Sequence, residues 1–403
     1  MAITSAAHGN DVIVTVLSPY DPRVAQPAAG DNLLLHWRSY MARIGFAVTV
    51  ITWDTRPINL HSQDQYSVVR LTERPPASTT LSRLLEGAGP PRWVRRTLLG
   101  RPFLDLISGA DVVESHWPGT LGLVAPLARE LRGGRHVHVA HDIRSEALSS
   151  QIIQGSRLRD RAVAALKLLR VFPQEIRAYR KLDAAVILRS QERVILRKRL
   201  FARQDIKILQ LAAASPTWRG RTEPRSLQVP LTGPLRLGFV GDLSRWENVH
   251  SIRRFIKDSW PGIRGIEPTA TLTLFGRIDG RVAAEFELVD GIICAGWVDS
   301  LADAYMCIDV VLAPLRIRGG LKFKVAEARS FGKFVVGSEV ANSGFEGDPA
   351  VITAPRASAW GHKISQLRGQ TPRTYEYASQ LEQYSAQLAA YYGASTDSSE
   401  SEF

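Results

Sequence analysis

Several common features are scarce or missing in this chain, and each absence narrows the class of protein. Only two of its 403 residues are cysteine, Cys294 and Cys307, and both lie in apolar surroundings. They form neither a disulfide framework nor a Cys-x-x-Cys zinc motif, which indicates a reducing compartment. No apolar run is long enough to cross a bilayer, and residues 1–10 lack the apolar stretch of a secretory signal. We therefore predict a cytoplasmic protein, soluble or peripheral at the inner face of the membrane.

Positive charge, in contrast, is abundant and unevenly distributed. The formal net charge is +12, and residues 151–203 alone contain fourteen Lys or Arg against four Asp or Glu. A second basic segment, residues 90–103, mixes cations with aromatic residues. Both segments have three interpretations: a solvated face, a surface for anionic membrane, or a nucleic-acid interface. No zinc-finger or RNP-like motif supports the last, so we predict no nucleic-acid partner. Apolar residues that interleave with the cations favour the membrane surface; they are Leu158, Ala162, Ala165, Leu168 and Leu169.

The order of apolar runs predicts an α/β protein of two domains. Nearly continuous Val/Ile runs alternate with helical periods in both halves, which is typical of parallel sheets covered on both faces. Residues 215–224 are rich in turn formers and interrupt this alternation. In doubly wound domains, ligands bind off the carboxyl ends of the strands, so an interdomain cleft is the expected site. The predicted parts are an N-terminal Rossmann-like acceptor-binding domain (1–215), a linker (216–233), a C-terminal Rossmann-like nucleotide-sugar-binding domain (234–371), a helix packing back across the junction (372–392) and a disordered tail (393–403).

The most informative segment is residues 313–328, with the sequence APLRIRGGLKFKVAEA. It follows an apolar strand and places the Gly319–Gly320 pair before a helix predicted over 321–330. Four cations surround this turn: Arg316, Arg318, Lys322 and Lys324. Backbone amides at a helix start bind anions, and nearby Arg and Lys strengthen binding of phosphate oxygens. Glu327, one to two turns into the helix, can accept hydrogen bonds from ribose hydroxyls. The segment therefore predicts a nucleotide-sugar site.

The order of motifs resembles that of the retaining GT-B glycosyltransferases of family 4, which use activated sugar donors. In the C-terminal domain the resemblance covers roughly residues 235–352. Its first part is carried by GFVGDL at 238–243, WENV at 246–249 and Gly276-Arg277. Its second part is carried by GWVD at 296–299 with Ala304-Tyr305 and Asp309, by the 313–328 segment, and by GKFVV at 332–336. In the N-terminal domain, His141-Asp142 is similar to the family's HD pair. DVVESHW at 111–117 and LDAAV at 182–186 with Ser190 resemble two further elements.

The resemblance implies a hexosyl-type glycosyltransferase. It would move a sugar from a nucleotide-diphosphate sugar to a glycan or lipid-linked acceptor with retention, as in polysaccharide biosynthesis. The resemblance implies no metal and no cofactor beyond the co-substrate; no Asp-x-Asp motif lies in a plausible loop. The implied catalytic residues are His141 beside the donor sugar, Glu327 on the ribose and Lys322 on the leaving phosphates. The other implied donor-binding residues are Gly30, Gly241, Arg245, Gly276, Arg277, Arg316, Gly319 and Gly320.

The chain departs from the family pattern at three positions. Gly319 stands where relatives often have a Glu that holds the donor sugar. Asp242 and Asn248 stand where many members have the Arg and Lys that bind the pyrophosphate. We hypothesise that Arg316, Arg318 and Lys322 take over that role.

Each candidate also has a structural interpretation. His141 can be a satisfied core histidine, with Asp142 as a plain N-cap, and Glu327 can pair with Lys324 on its own helix. Lys322 can be a solvated lysine, while His116 and Trp117 can serve packing alone. For the whole chain, the alternative is a non-catalytic module that binds nucleotide-sugar or polyanion on a degenerate scaffold. A sugar epimerase on the same two-domain plan is a third possibility.

Overall fold

The computed structural model describes residues 12–21, 38, 41–42, 45–54, 66–71, 90–131, 133–155, 158–202, 207–210, 230–372 and 386–393. The chain divides into two compact units, one formed by residues 1–212 with 379–403 and the other by residues 213–378. Gly30, residues 216–229 of the predicted linker and the tail from residue 394 lie outside the described residues. Residues 386–393 are helical and belong to the first unit.

The described part of the first unit contains a seven-stranded parallel sheet with the order β3-β2-β1-β4-β5-β6-β7. Its strands are β1 (Ile13–Ser18), β2 (Ala47–Thr52), β3 (Ser67–Arg70), β4 (Val112–His116), β5 (Arg135–Ala140), β6 (Ala184–Ile187) and β7 (Lys207–Gln210). Its helices are α1 (Arg92–Leu98), α2 (Arg101–Ser108), α3 (Leu121–Leu127), α4 (Arg144–Gln154), α5 (Leu158–Tyr179) and α6 (Ser190–Lys198). A short 3-10 turn, Pro118–Thr120, follows β4.

The second unit has a six-stranded parallel sheet with the order β10-β9-β8-β11-β12-β13. Its strands are β8 (Arg236–Val240), β9 (Thr271–Phe275), β10 (Ile292–Gly296), β11 (Val310–Ala313), β12 (Phe334–Gly337) and β13 (Val351–Thr353). Its helices are α7 (Trp246–Asp258), α8 (Trp260–Ile266), α9 (Gly280–Glu287), α10 (Leu301–Met306), α11 (Phe323–Ser330), α12 (Glu339–Asn342) and α13 (Ala359–Ser365).

The central strands are buried along their whole length because helices cover both faces of each sheet. Every residue of β4, β6, β11 and β12 is buried. This explains the continuous Val/Ile runs, since a strand whose sheet has helices packed on both faces has no solvent-exposed side for polar residues. The two α/β units confirm the predicted fold class.

The direction of strand order reverses once in each sheet, and this fixes where a ligand can approach the backbone. In the first unit the reversal lies between β1 and β4, and in the second between β8 and β11. The loops that leave the carboxyl ends of such strand pairs diverge, which opens a crevice there. In the second unit these loops begin at Gly241 and Pro314. In the first unit they begin at Pro19 and Trp117, and His141 directly follows the neighbouring strand β5.

Within the described residues, no helix is both long enough and apolar enough to span a membrane.

Candidate functional site

In the second unit, the turn between β11 and α11 has the conformation that its glycine pair permits. Gly319 and Gly320 have φ angles of +107° and +59°, in the left-handed region that disfavours residues with a Cβ. Helix α11 begins at Phe323, two residues later than predicted, and its first turn carries no acidic residue. Lys322 precedes it without capping it by a side-chain hydrogen bond, and its Nζ donates to the carbonyl oxygen of Gly319 at 2.5 Å. The free backbone N–H groups at the start of α11 therefore lie next to this loop, where we expect an anion to bind.

Glu327 is held from outside its own helix. The hydroxyl of Tyr305, on α10, donates to Glu327 Oε1 at 2.6 Å, and the ring of Tyr305 stacks on Phe331 at 4.4 Å. Burial raises the pKa of Glu327, although the hydrogen bond from Tyr305 and the charge of Lys324 act in the opposite direction. The carboxylate is thus fixed in orientation, as expected for a side chain that accepts from a ligand hydroxyl.

Lys324 is one of the four cations of this segment, and no role of its own was predicted for it from the sequence. Its Nζ is buried and has no hydrogen-bond partner among the described residues, so it does not pair with Glu327. The amine lies 3.9 Å from the centroid of the Phe239 ring, at the end of β8. A Cβ on Gly241 would lie only 2.8 Å from this Nζ, so the amine sits directly beneath the loop that leaves β8. Burial, and then the charges of Lys322 and Arg245, lower the pKa of Lys324 to about 7.

In the first unit, a chain of buried polar contacts starts from Glu114 on β4. Glu114 Oε1 contacts both the guanidinium of Arg38 and His116 Nε2, and Oε2 accepts from the hydroxyl of Tyr392 at 2.5 Å. The other nitrogen of His116, Nδ1, lies 3.0 Å from His141 Nε2. Burial alone would raise the pKa of Glu114, but Arg38, His116 and the hydrogen bonds outweigh it and lower the pKa to about 2. Glu114 is therefore charged at neutral pH.

The charge on Glu114 decides which nitrogen of each imidazole carries a proton. Burial lowers the pKa of His116 and of His141, so both rings are neutral and each has one N–H. A carboxylate only accepts, so His116 donates through Nε2 and accepts through Nδ1. His141 must then donate through Nε2, which leaves its Nδ1 as an acceptor. That Nδ1 is buried and has no hydrogen-bond partner among the described residues.

Trp117 holds the His141 ring in place at a cost in backbone strain. The Trp117 and His141 rings are stacked, with centroids 3.9 Å apart and an interplanar angle of 3°. Tyr20 contacts Trp117 edge-on at 4.6 Å, so loops from β1 and β4 both contribute. Trp117 has a φ of +63°, which for a bulky residue costs about 1–3 kcal/mol and persists only where the surroundings enforce it. Backbone strain of this kind is common at active sites and ligand-binding positions, and here it lies at the strand-order reversal.

Comparison with known proteins gives a family match in the second unit. Residues 234–369 match the family model "Glycosyl transferases group 1". The second unit thus contains a group 1 glycosyltransferase domain. A comparison with curated proteins gave no match.

Solved GT-B structures resemble the whole chain. Sucrose-phosphate synthase from Thermosynechococcus elongatus is 17% identical over 94% of this chain and 98% of its own, with a TM-score of 0.65. Anabaena HepE, solved with UDP and glucose, is 13% identical over 94% and 99%, with a TM-score of 0.58. WaaG, a glycosyltransferase involved in lipopolysaccharide biosynthesis, is 15% identical over 96% of each chain, with a TM-score of 0.53. At these identities the likeness shows a shared fold, which is GT-B with two Rossmann-like units.

The cations of the second unit that were predicted to bind the donor differ in their hydrogen-bond partners and in their exposure. Arg245 donates to Glu247 through Nε at 2.8 Å, and Arg277 pairs with Asp242 at 3.0 Å. Both cations near the first loop are therefore engaged with carboxylates. Arg316 is exposed, and its backbone N–H donates to Ser251 Oγ at 3.3 Å. It lines a pocket together with Arg254, Ser338 and Arg356.

The glycines of the first two loops have a packing reason for being glycine. A Cβ on Gly276 would lie 2.1 Å from the carbonyl oxygen of Gly241, so these two loops touch through their backbones. Gly276 also has a φ of +129°. This contact explains Gly276 without a ligand. A Cβ on Gly241 would instead meet Lys324 Nζ at 2.8 Å and the ring of Phe239 at 3.2 Å.

The turn after β5 is fixed by a carboxylate from a distant helix. Asp142 does not cap α4, whose N-cap is Ile143 without a side-chain hydrogen bond. Instead, Glu175 on α5 accepts from the backbone N–H of Arg144 at 2.9 Å and of Ser145 at 3.3 Å. Among the described residues, no group of three or more His, Cys, Asp or Glu side chains is arranged to hold a metal ion.

Proposed function

We propose that this protein is a glycosyltransferase that moves a sugar from a nucleoside-diphosphate sugar to an acceptor hydroxyl with retention. The observation that carries the proposal is the anion-binding turn before α11, combined with the oriented Glu327 in a group 1 glycosyltransferase domain. Retention rests on the resemblance to family 4. The acceptor we propose is a glycan or a lipid-linked sugar, and the reaction needs no bound metal.

Departure of the diphosphate is the step that this turn is suited to assist. Negative charge develops on the leaving phosphate oxygens, and prearranged amide dipoles and cations stabilise it more than water does. The first amides of α11 and the ammonium of Lys322 are the groups we assign to these oxygens. Glu327 accepts hydrogen bonds from the ribose hydroxyls, since Tyr305 holds its carboxylate in a fixed orientation.

In the first unit, His141 is the residue we assign to the donor sugar. Its Nδ1 is an acceptor, so it can receive a hydrogen bond from a sugar hydroxyl. An oriented hydroxyl holds the anomeric carbon in one position, and such positioning lowers the entropy cost of the transfer.

A nucleotide panel tests the proposal. UDP, GDP and ADP with their glucose or mannose conjugates are added to the protein in a thermal-shift assay, followed by an assay of donor turnover. UDP is the first probe because HepE was solved with it. A ligand at a hundred times its Kd adds about 2.7 kcal/mol to the free energy of unfolding. Stabilisation by one base with slow release of free sugar supports the transferase. Binding without turnover over a panel of acceptors supports the non-catalytic module instead.

Replacing Glu327 with glutamine is expected to weaken nucleotide-sugar binding about 10- to 100-fold. A hydrogen bond to a charged group contributes about 1.5–3 kcal/mol, and the amide retains an acceptor for Tyr305, so the fold is kept. Titration calorimetry with the nucleotide found by the panel measures the loss. Glu285→Gln, at an exposed carboxylate on α9, is the matched control and should bind as the wild type does. Equal affinities of the two variants would remove Glu327 from the site.

We further propose that helix α5 docks on an anionic membrane. Its inner side buries Ala164, Val171 and Ala178 in the core of the first unit. On its outer side Leu158, Leu166 and Leu169 are 80%, 61% and 74% exposed. Their spacing of eight and three positions places them on one face of the helix.

Arginines border this apolar stripe as an interfacial helix requires. The exposed ones on α5 are Arg159, Arg161, Arg170 and Arg177. The stripe corrects part of the sequence prediction, because Leu168 packs against the core and does not face outward. In residues 92–108 the large apolar side chains also pack inward, and the exposed residues are Arg92, Arg95, Arg96, Arg101, Pro102 and Asp105.

Co-sedimentation with vesicles checks the membrane proposal. Binding to vesicles that contain phosphatidylglycerol is expected to fall at least about tenfold in Leu166→Ser/Leu169→Ser, since each buried leucine contributes about 1.5–3 kcal/mol. Leu288→Ser, at an 87% exposed leucine of the second unit, serves as the control. Neutral vesicles should bind weakly, because each Lys or Arg near an anionic surface adds about 1 kcal/mol. Equal binding by the double variant and the control would rule out α5 as the docking surface.

A further inference from the structure

The amine of Lys324 is buried in the second unit without the partner that such a group normally has. Burying an amine away from water is unfavourable unless a hydrogen bond or counter-charge replaces the solvent. Among the described residues Nζ has no hydrogen-bond partner. It contacts the ring of Phe239, and the carboxylates of Glu327 and Glu247 act on it only through their charge. A cation over an aromatic face gains about 0.5–2 kcal/mol, less than the loss of hydration of an ammonium. The fold therefore maintains an unfavourable arrangement at this point.

Its position suggests what the missing partner is. Nζ lies beneath Gly241, in the loop that leaves β8, and its helix begins one residue before it, at Phe323. The amine is thus located where the carboxyl end of β8 meets the first turn of α11, beside the strand-order reversal. A group bound by the amides of α11 would approach this amine.

The charges around the first loop point to the same conclusion. Arg245 and Arg277, the nearby cations, are paired with Glu247 and Asp242. Asn248 donates to the carbonyl oxygen of Asp242 at 2.7 Å and so serves the loop itself. A cation for the ligand must therefore come from another element, and α11 provides one.

We propose that Lys324 binds the diphosphate of the nucleotide-sugar donor and takes up a proton when the donor binds. This rests on the proposed function, and it assigns to a helix residue the role that the first loop has lost. Lys324 is a binding residue in this account, and the proton it gains comes from solvent.

The groups that face the amine set the direction of the proton uptake. Burial is the largest cause of the lowered pKa of Lys324, and the charges of Lys322 and Arg245 lower it further. The charges of Glu327 and Glu247 raise it, and the resulting pKa is about 7. At pH 8 the free protein thus holds this amine mainly neutral. A diphosphate adds negative charge beside it and favours the ammonium, so the pKa rises in the complex. Affinity is then highest below pH 7 and falls by up to about tenfold per pH unit above it, until the pKa of the complex is reached.

Calorimetry in two buffers of different ionisation enthalpy tests the inference on the full chain. The probes are UDP-glucose, GDP-mannose and ADP-glucose, whose phosphates are esterified at both ends and do not titrate near neutrality. For the probe that binds, we expect uptake of close to one proton at pH 8, that is about 0.9 for a free pKa of about 7. Lys324→Met is expected to abolish the uptake and to lower the affinity at pH 6.5 at least about tenfold. Because methionine replaces a buried amine by a side chain of similar length, the melting temperature should stay equal or rise.

Lys257→Met, at an exposed lysine on α7, is the control and should keep both the uptake and the affinity. Unchanged affinity and proton uptake in Lys324→Met, with donor binding intact in the wild type, would overturn the assignment of Lys324 and leave the proposed function standing. Failure of the wild type to bind any of the three probes would instead overturn both.

Discussion

Replacing His141 with alanine is expected to lower sugar transfer about 100-fold or more while donor binding changes much less. The loss follows from removal of one prearranged hydrogen-bonding group at the reacting sugar, which typically costs about 10²–10³ in kcat. Nδ1 of His141 is fixed for this task by the stacked Trp117 and by the contact of Nε2 with His116. Steady-state kinetics with the donor found by the nucleotide panel measures kcat and KM separately.

His136→Leu is the matched control for this variant. His136 is also a buried, neutral histidine of β5, but it lies at the opposite end of the strand. Burial lowers its pKa to about 4, and neither ring nitrogen has a hydrogen-bond partner among the described residues. Leucine should be neutral or stabilising there, with kcat unchanged. Equal kcat values for His141→Ala and the wild type would exclude His141 from the reaction.

Arg329→Met is expected to destabilise the second unit by about 3–5 kcal/mol. Arg329 and Asp348 form an ion pair of 2.8 Å with side chains only 1% and 2% exposed, and Arg329 also donates to the carbonyl oxygen of Lys333 at 2.7 Å. Removal of one member of a buried pair leaves the other charge without compensation, and that penalty exceeds the value of most single interactions. Urea denaturation of the full chain, combined with hydrogen exchange over residues 323–353, assigns the loss to this unit.

The exposed pair Arg253–Glu285 supplies the control. Its side chains are about half exposed, so Arg253→Met should change the free energy of unfolding by at most about 1 kcal/mol. In the background of Arg329→Met, Asp348→Asn should recover part of the stability, since it removes the buried charge and keeps an acceptor for the amide of Ala350. Equal losses for the buried and exposed arginines would contradict the argument from burial.

Most of the fold was predictable, and the missed elements have a common cause. Eleven strands were expected from Val/Ile runs, and all eleven are present. The two that were missed, β7 and β13, are four and three residues long and lie at sheet edges. An edge strand pairs on one side only and needs no continuous apolar run, so its sequence has little that distinguishes it from a loop. The helix was predicted to begin at Leu321, two residues before α11 begins. Gly320 and Lys322 have non-helical backbone angles, and the periodicity of apolar residues in the sequence does not reveal them.

The candidate site was only partly predictable. Glu327, Lys322 and the glycine pair were recognised because they are consecutive in one strand–turn–helix segment. Pairing of Glu327 with Lys324 was the alternative interpretation, and no hydrogen bond joins them in the structure. Spacing on a helix shows which side chains are neighbours and not whether they are buried. Glu114, Arg38 and Tyr392 were missed entirely. Their contacts join residues up to 278 positions apart, and no local pattern signals such a pair.

The sequence by itself therefore determined the class of fold, the two units and the order of their strands and helices, because apolar periodicity is a local property that follows from backbone geometry. It also predicted an anion-binding turn before α11, because the free amides of a helix start follow from that same geometry. The protonation states of the site residues, by contrast, are set only by the tertiary structure. The charge state of Glu114, the acceptor nitrogen of His141 and the lowered pKa of Lys324 all arise from desolvation and from charges brought together by folding. These quantities depend on distance in space, which the order of residues does not specify.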